Sequence, residues 1–217
     1  MMNEIFSKGK QALNTLPQKE KLQTLLEKIE SQDDSPITNL TLNKTLVEEI
    51  EQLTKELENV NPNPQPLLYA TSLLNGNWLL KYSTAREIRS LSSLPLGLKI
   101  GKVYQEIDVA NKSFFNLAYV KHPLGLVAGN VKVTASFEPA EDETNKRINV
   151  KFDKRYLSIE QIFGIQTPKL NPFKVVQANS PQGRIPSLDI TYLDETLRVG
   201  RGGDGSLFIL IRVNSEQ

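Results

Sequence analysis

The sequence predicts a mainly β fold with N-terminal helices. The strands are expected to form an antiparallel β-barrel of about eight strands, with the helices packed at one end or side. Three observations predict this. Apolar residues recur at helical spacing in the first third and at a spacing of two after Leu73. Helical patterns do not alternate with the later strands, which disfavours a parallel sheet. The last two strand patterns flank an Asp-Gly turn, and closing the sheet on itself would remove both edges.

The helical part comes first. In "FSKGKQALNTLPQKEKLQTLLEKIES", Leu22, Leu25, Leu26 and Ile29 share one face, and Pro17 either breaks this helix or starts a second. "SQDDSPITN" is a linker by composition. In "NKTLVEEIEQLTKELENV", Leu46, Val47, Ile50, Leu53 and Leu57 form a stripe with acids between them. Such a stripe packs on a neighbouring surface. "NPNPQP" then ends the helical part. Residues 1–63 are therefore expected as a helical segment and residues 64–217 as the barrel domain, together one structural unit.

Strand patterns follow. "GNWLLKYS", "KIGKVYQEIDV" and "KSFFNLAYV" precede the clearest run, "VAGNVKVTASF". There Val127, Gly129, Val131, Val133, Ala135 and Phe137 point one way and the polar residues the other. "RINVKF", "SLDITYLD", "TLRVGR" and "SLFILIRV" complete the set. Between the last two, "GGDG" resembles a phosphate loop only superficially. A P-loop needs a lysine and a following helix, whereas here a strand follows.

Catalytic signals are weak. There is no cysteine and one histidine, His122, in the loop-like "KHPLG". No thiol nucleophile, Cys-bound zinc or His-based metal cluster can be built, and no catalytic residue, metal or cofactor is expected beyond a bound lipid. Asp189, Asp194, Glu195 and Asp204 read as strand faces and turns. A barrel carboxylate such as Asp189 would matter only to an enzyme.

Two apolar segments read as loops. "LSSLPLGLKI" carries four leucines, among them Leu94 and Leu96, and "IFGIQTPKLNPF" carries apolar residues between prolines. Each must fold back on the core or meet something apolar. Leu94 and Leu96 are the expected membrane contacts. The basic run with Lys146, Arg147, Lys151, Lys154 and Arg155 is either an ordinary wet face or a patch for anionic lipid.

Charge excludes one class of partner. Residues 1–63 hold 7 Lys/Arg and 11 Asp/Glu, and the remainder 19 and 14, so net charges of −4 and +5 sum to +1. That balance is too weak for a nucleic-acid footprint. No apolar run is long enough to cross a bilayer as a helix. The start has neither the apolar core of a signal peptide nor the pattern of a transit peptide.

Gly76-Asn77-Trp78 is the G-x-W that opens the first strand of lipocalin-like barrels. More specifically, "ELENVNPNPQPLLYATSLLNGNWLLKYST" and "LDITYLDETLRVGRGGDGSLFILIRV" resemble the plastid lipid-associated proteins, also called plastid fibrillins. The resemblance runs from about Lys8 to Val213. It implies a lipocalin-like barrel with N-terminal helices and no known enzymatic chemistry. It also implies peripheral association with thylakoid membranes and lipid globules, or a place in the cytoplasm of a photosynthetic bacterium. Binding of prenyl lipids such as carotenoids and quinones, and protection under light stress, are further implications. In such barrels the tryptophan packs against a basic residue of the last strand to close one end. Trp78 and Arg212 are the matching positions.

The expected ligand is accordingly an apolar lipid. An eight-stranded barrel can hold one small ligand, and burial contributes about 0.8 kcal/mol per methylene. The candidate lining is Leu80, Tyr82, Val131, Val133, Phe137, Val150, Phe152, Tyr192 and Phe208. These residues either line a pocket or fill the barrel. In the second case the protein is a membrane-surface scaffold with no internal ligand.

Overall fold

The computed structural model describes residues 17–29, 35–90, 94, 97–142, 144–178 and 185–213. Helix α1 covers residues 17–29. A short strand β1 (Ile37–Thr38), helix α2 (Lys44–Asn59) and two single turns, α3 (Pro66–Tyr69) and α4 (Thr71–Leu74), lead into β2 (Gly76–Ser83). After α5 (Arg86–Ser90) come β3 (Lys99–Asp108), β4 (Ser113–Lys121), β5 (Val127–Pro139) and β6 (Arg147–Ile162). The chain ends with β7 (Ile165–Gln166), β8 (Lys174–Gln177), β9 (Ser187–Leu193), β10 (Leu197–Gly202) and β11 (Leu207–Val213).

The protein is mainly β. Eight strands close a ring in the order β2-β11-β10-β9-β6-β5-β4-β3, with β3 returning to β2. All eight pairings are antiparallel. The glycine-rich stretch is a hairpin: Gly202 and Ser206 pair through a 2.8 Å bond, and Gly205 takes φ +83°. Each of the eight strand patterns in the sequence corresponds to one strand of the ring. The difference lies in β6, which runs on to Ile162 through residues that read as loop, and carries β7 and β8 on its far half. Its near half meets β9 through only three residue pairs, Arg147–Asn149 against Ser187–Asp189.

Two apolar layers result. The ring interior holds Trp78, Leu80, Val103, Ile107, Ala135, Phe137, Val150, Ile190, Leu193 and Leu210. A second layer lies outside, between the helices and the sheet. There Leu22 and Leu26 of α1 and Ile50 and Leu57 of α2 pack on Tyr82, Tyr192, Val199 and Ile209. The α2 stripe is thus buried against strands, with Asn43 capping the helix by accepting from Leu46 N–H at 2.9 Å. The charge asymmetry has a structural counterpart: Arg201 of β10 pairs with Glu58 at 2.7 Å and Glu51 at 3.1 Å on α2.

Two β-bulges decide which face is inward. Ile209 and Leu210 pair with Tyr82 and Leu80, leaving Lys81 as an extra residue in β2. Val199 and Gly200 pair with Tyr192 and Ile190, leaving Thr191 extra in β9. A single extra residue turns the following side chain to the opposite face. Leu80 and Ile190 therefore point inward, whereas Tyr82 and Tyr192 point outward beneath the helices.

Candidate functional site

One end of the interior is built around Trp78, which is fully buried. Its Nε1–H donates to Leu74 O at 2.9 Å, so α4 fixes the ring orientation. Arg212, directly opposite on β11, stands with its guanidinium carbon 4.4 Å from the indole centroid. The guanidinium donates to three backbone carbonyls: Glu195 O and Asn75 O at 2.7 Å each, and Leu73 O. Gly76 takes φ +110°, and a Cβ there would lie 3.1 Å from Arg212 Nη1. The G-x-W glycine thus serves both the backbone turn and the approach of the arginine.

A second arginine occupies the interior. Arg198 is 3% exposed, and its guanidinium carbon lies 5.0 Å from the same indole centroid. Its Nη2 donates to Gln105 Oε1, and Gln105 Nε2 donates to Asn116 Oδ1 at 2.9 Å. Gln105 pairs with Trp78 and Asn116 with Val133 across neighbouring strands, so this polar chain crosses the inner wall. Burial, followed by the nearby charge of Arg212, lowers the Arg198 pKa to about 9. Periodicity marks "TLRVGR" as strand and does not single out Arg198, Gln105 or Asn116. An available signal was the arginine between Leu197 and Val199, on the opposite face from two buried apolar residues.

Seven of the nine candidate lining residues face inward. Leu80, Phe137 and Val150 belong to the interior cluster, and Phe152 and Phe208 pack against it half-buried. Val131 and Val133 lie opposite Ala118 and Asn116 on the inner face and are also half-buried. Tyr82 and Tyr192 are corrected to the outer layer, for the bulge reason given above. There the Tyr82 hydroxyl pKa rises to about 12, first through burial and second through the charge of Glu51.

The carboxylates are occupied structurally. Asp189 receives Nε and Nη2 of Arg147 at 2.6 and 2.9 Å, across the β6–β9 seam. Asp194 accepts from Lys19 of α1 at 2.5 Å, Tyr192 at 2.7 Å and the N–H groups of Thr196 and Leu197 at 2.8 and 2.7 Å.

A rim stands apart from the Trp78 end of the interior. The β4–β5 and β6–β7 hairpins finish side by side, tied by Phe163 N–H donating to Leu126 O at 2.9 Å. Their tips present Leu124, Phe163 and Ile165, which are 78, 72 and 71% exposed. Phe163 holds φ +50°, a conformation unfavourable for a bulky side chain. "IFGIQTPKLNPF" thus folds as strand, tip and return, yet its aromatic tip meets solvent. Leu94, by contrast, is half-buried and packs on the interior cluster. Leu96 lies outside the described residues. No helix among the described residues is long and apolar enough to cross a membrane.

Residues 18–211 match the PAP_fibrillin family. The chain belongs to that family. It is 30% identical over 202 residues to the chromoplast-specific carotenoid-associated protein of Cucumis sativus, covering 77% of this chain and 61% of that one. It is 33% identical to plastoglobulin-1 of Pisum sativum, covering 77% and 54%. Plastid lipid-associated protein 1 of Brassica campestris is 31% identical, with 77% and 60% covered. The chain thus spans about three-fifths of the length of the curated relatives it matches. The family assignment agrees with the two sequence stretches that resemble plastid fibrillins, one of which contains Trp78 and the other Arg198 and Arg212.

Proposed function

We propose that this protein is a non-enzymatic lipid-binding protein that stores or carries a prenyl lipid of carotenoid or quinone type. In this reading the strand ring is a lipocalin-like barrel, closed at one end by Trp78 and Arg212, and the lipid lies inside it. The observation that carries the proposal is the inner wall. Apolar side chains from seven of the eight strands of the ring converge there, and Val131, Val133, Phe152 and Phe208 remain only half-buried. Side chains that face an interior without being fully covered leave apolar surface for a ligand. The names of the relatives, carotenoid-associated and plastid lipid-associated, support the same class of cargo.

The cargo must come from a lipid phase, and the hairpin rim suits that contact. Leu124, Phe163 and Ile165 offer apolar tips, with exposed Lys121 and Lys169 in the same segments. Apolar anchors with nearby cations match a surface containing anionic lipid. A thylakoid or lipid-globule surface and a photoprotective role are part of the same proposal.

The test is mass spectrometry of lipids that co-purify with the native protein, followed by reconstitution with isoprenoids. A bound isoprenoid is expected. Failure of every isoprenoid to co-purify or to rebind overturns the proposal. For the rim, Phe163→Glu combined with Leu124→Glu is expected to abolish flotation with vesicles containing phosphatidylglycerol while leaving the melting temperature unchanged. Unaltered flotation removes the rim from the reading.

A further inference from the structure

Two guanidinium groups stand over the indole of Trp78, and they are satisfied very differently. Arg212 spends its donors on three backbone carbonyls at the end of the ring. Arg198 is more deeply buried, yet it donates one hydrogen bond, to Gln105. Among the described residues its Nε and Nη1 have no acceptor, and no carboxylate lies within ion-pair distance. A guanidinium has five N–H donors in a planar fork suited to oxygen acceptors. Burying such a group with one neutral partner is unfavourable, and no carboxylate among the described residues relieves it.

The surroundings are arranged for an incoming acceptor. Gln105 is held in turn by Asn116, which fixes its carbonyl toward Arg198 and its amide away. Gln105, Asn116 and Val133 all face the interior and all are half-buried, so the polar chain adjoins the half-buried apolar side chains of the inner wall. A ligand lying along Val131 and Val133 would bring its head to this chain.

We propose that Arg198, positioned by Gln105, is the head-group anchor of the interior site and selects lipids whose head carries an sp² oxygen acceptor, a quinone carbonyl or a carboxylate. Lipids that are hydrocarbon throughout are disfavoured. This rests on the lipid-binding reading above. It goes beyond that reading in naming the residue and the chemistry that discriminates among apolar cargoes. A headless hydrocarbon would leave the buried cation with Gln105 alone and further cut off from water. An acceptor head gives the unused N–H groups a charge-assisted bond.

The experiment uses three ligands with the same farnesyl tail: a farnesyl benzoquinone, farnesoic acid and the hydrocarbon farnesene. Binding is followed by displacement of a radiolabelled isoprenoid, and by the fluorescence of Trp78, the only tryptophan of the chain. Both headed ligands are expected to bind the wild-type protein at least ~10-fold more tightly than farnesene. Arg198→Met is expected to erase that preference while retaining farnesene binding. Arg198→Lys, which keeps the charge but not the fork, should retain a reduced preference, and it serves if the methionine variant does not fold. The quinone and carboxylate arms separate a neutral acceptor from an anionic one, and tighter binding of either supports the anchor. Equal wild-type binding of all three ligands overturns this inference and leaves the lipid-binding reading standing. So does a preference that persists in Arg198→Met. Binding of none of them removes both.

Discussion

Trp78 shows how one residue gathers constraints that the sequence displays separately. Its indole is held by Leu74 O and faced by Arg212, whose approach requires a glycine two positions before the tryptophan. Gly76→Ala is expected to lower unfolding free energy by about 1–3 kcal/mol, measured by denaturant titration, because alanine is strained at φ +110° and crowds the guanidinium. Asn61 carries a different lesson. "NPNPQP" reads as a helix terminator, and it is one. Yet Asn61 Nδ2 also donates to Thr191 O at 2.8 Å, and its Oδ1 accepts from Leu193 N–H at 3.2 Å. Those backbone groups belong to the bulged part of β9. Asn61→Ala is expected to cost about 1–3 kcal/mol, since it strands backbone polar groups in a buried place. A terminator's composition is legible in sequence; the distant backbone it bonds is not.

At the scale of elements, the alternation rule locates strands well and inward faces less well. It succeeds along β5, whose Val131, Val133, Ala135 and Phe137 share the inner face. It fails at Tyr82 and Tyr192 because β2 and β9 each contain one extra residue. The near-continuous apolar run "SLFILI" was a sign that this side of the ring is covered on both faces. The cover is α1 and α2, and Asp194 holds α1 in place. Burial raises the Asp194 pKa, but the bonds from Lys19, Thr196, Tyr192 and Leu197 outweigh it and lower the net value. The carboxylate therefore contributes stability that is fully present above the unfolded aspartate pKa of about 3.9. That contribution is lost as pH falls through the lower folded value. Hydrogen exchange in α1 is expected to accelerate in that acid window while β2 and β11 stay protected. Asp194→Ala should reproduce the loss at neutral pH, at about 2–3 kcal/mol. Equal exchange of α1 and β11 under acid would show that the bond does not secure the helix.

At the scale of the whole molecule, the ring has an uneven circumference. Most neighbours pair along much of their length, but β6 and β9 share only three residue pairs, clamped by Arg147 and Asp189. Short seams open first. Asp189→Asn is expected to speed amide exchange at residues 147–149 and 187–189 and to leave the β10–β11 hairpin unaffected. Faster exchange spread evenly over all eight strands would contradict a local seam. The seam also separates two uses of β6. Its near half closes the ring, and its far half extends with β7 and β8 toward the exposed rim. Arg147 and Asp189 could be read only as scattered surface charges until the topology placed them opposite one another.

By itself the sequence determined the strand patterns of the ring, the helical cover and the hairpin at "GGDG". Each depends on local periodicity or on turn chemistry contained in a short segment. The tertiary structure alone decided that Tyr82 and Tyr192 face outward, that Phe163 stands at a rim and that Arg198 lies inside, bonded to Gln105. Those outcomes depend on cross-strand register, which one bulged residue reverses, and on which distant groups the closing of the ring brings together.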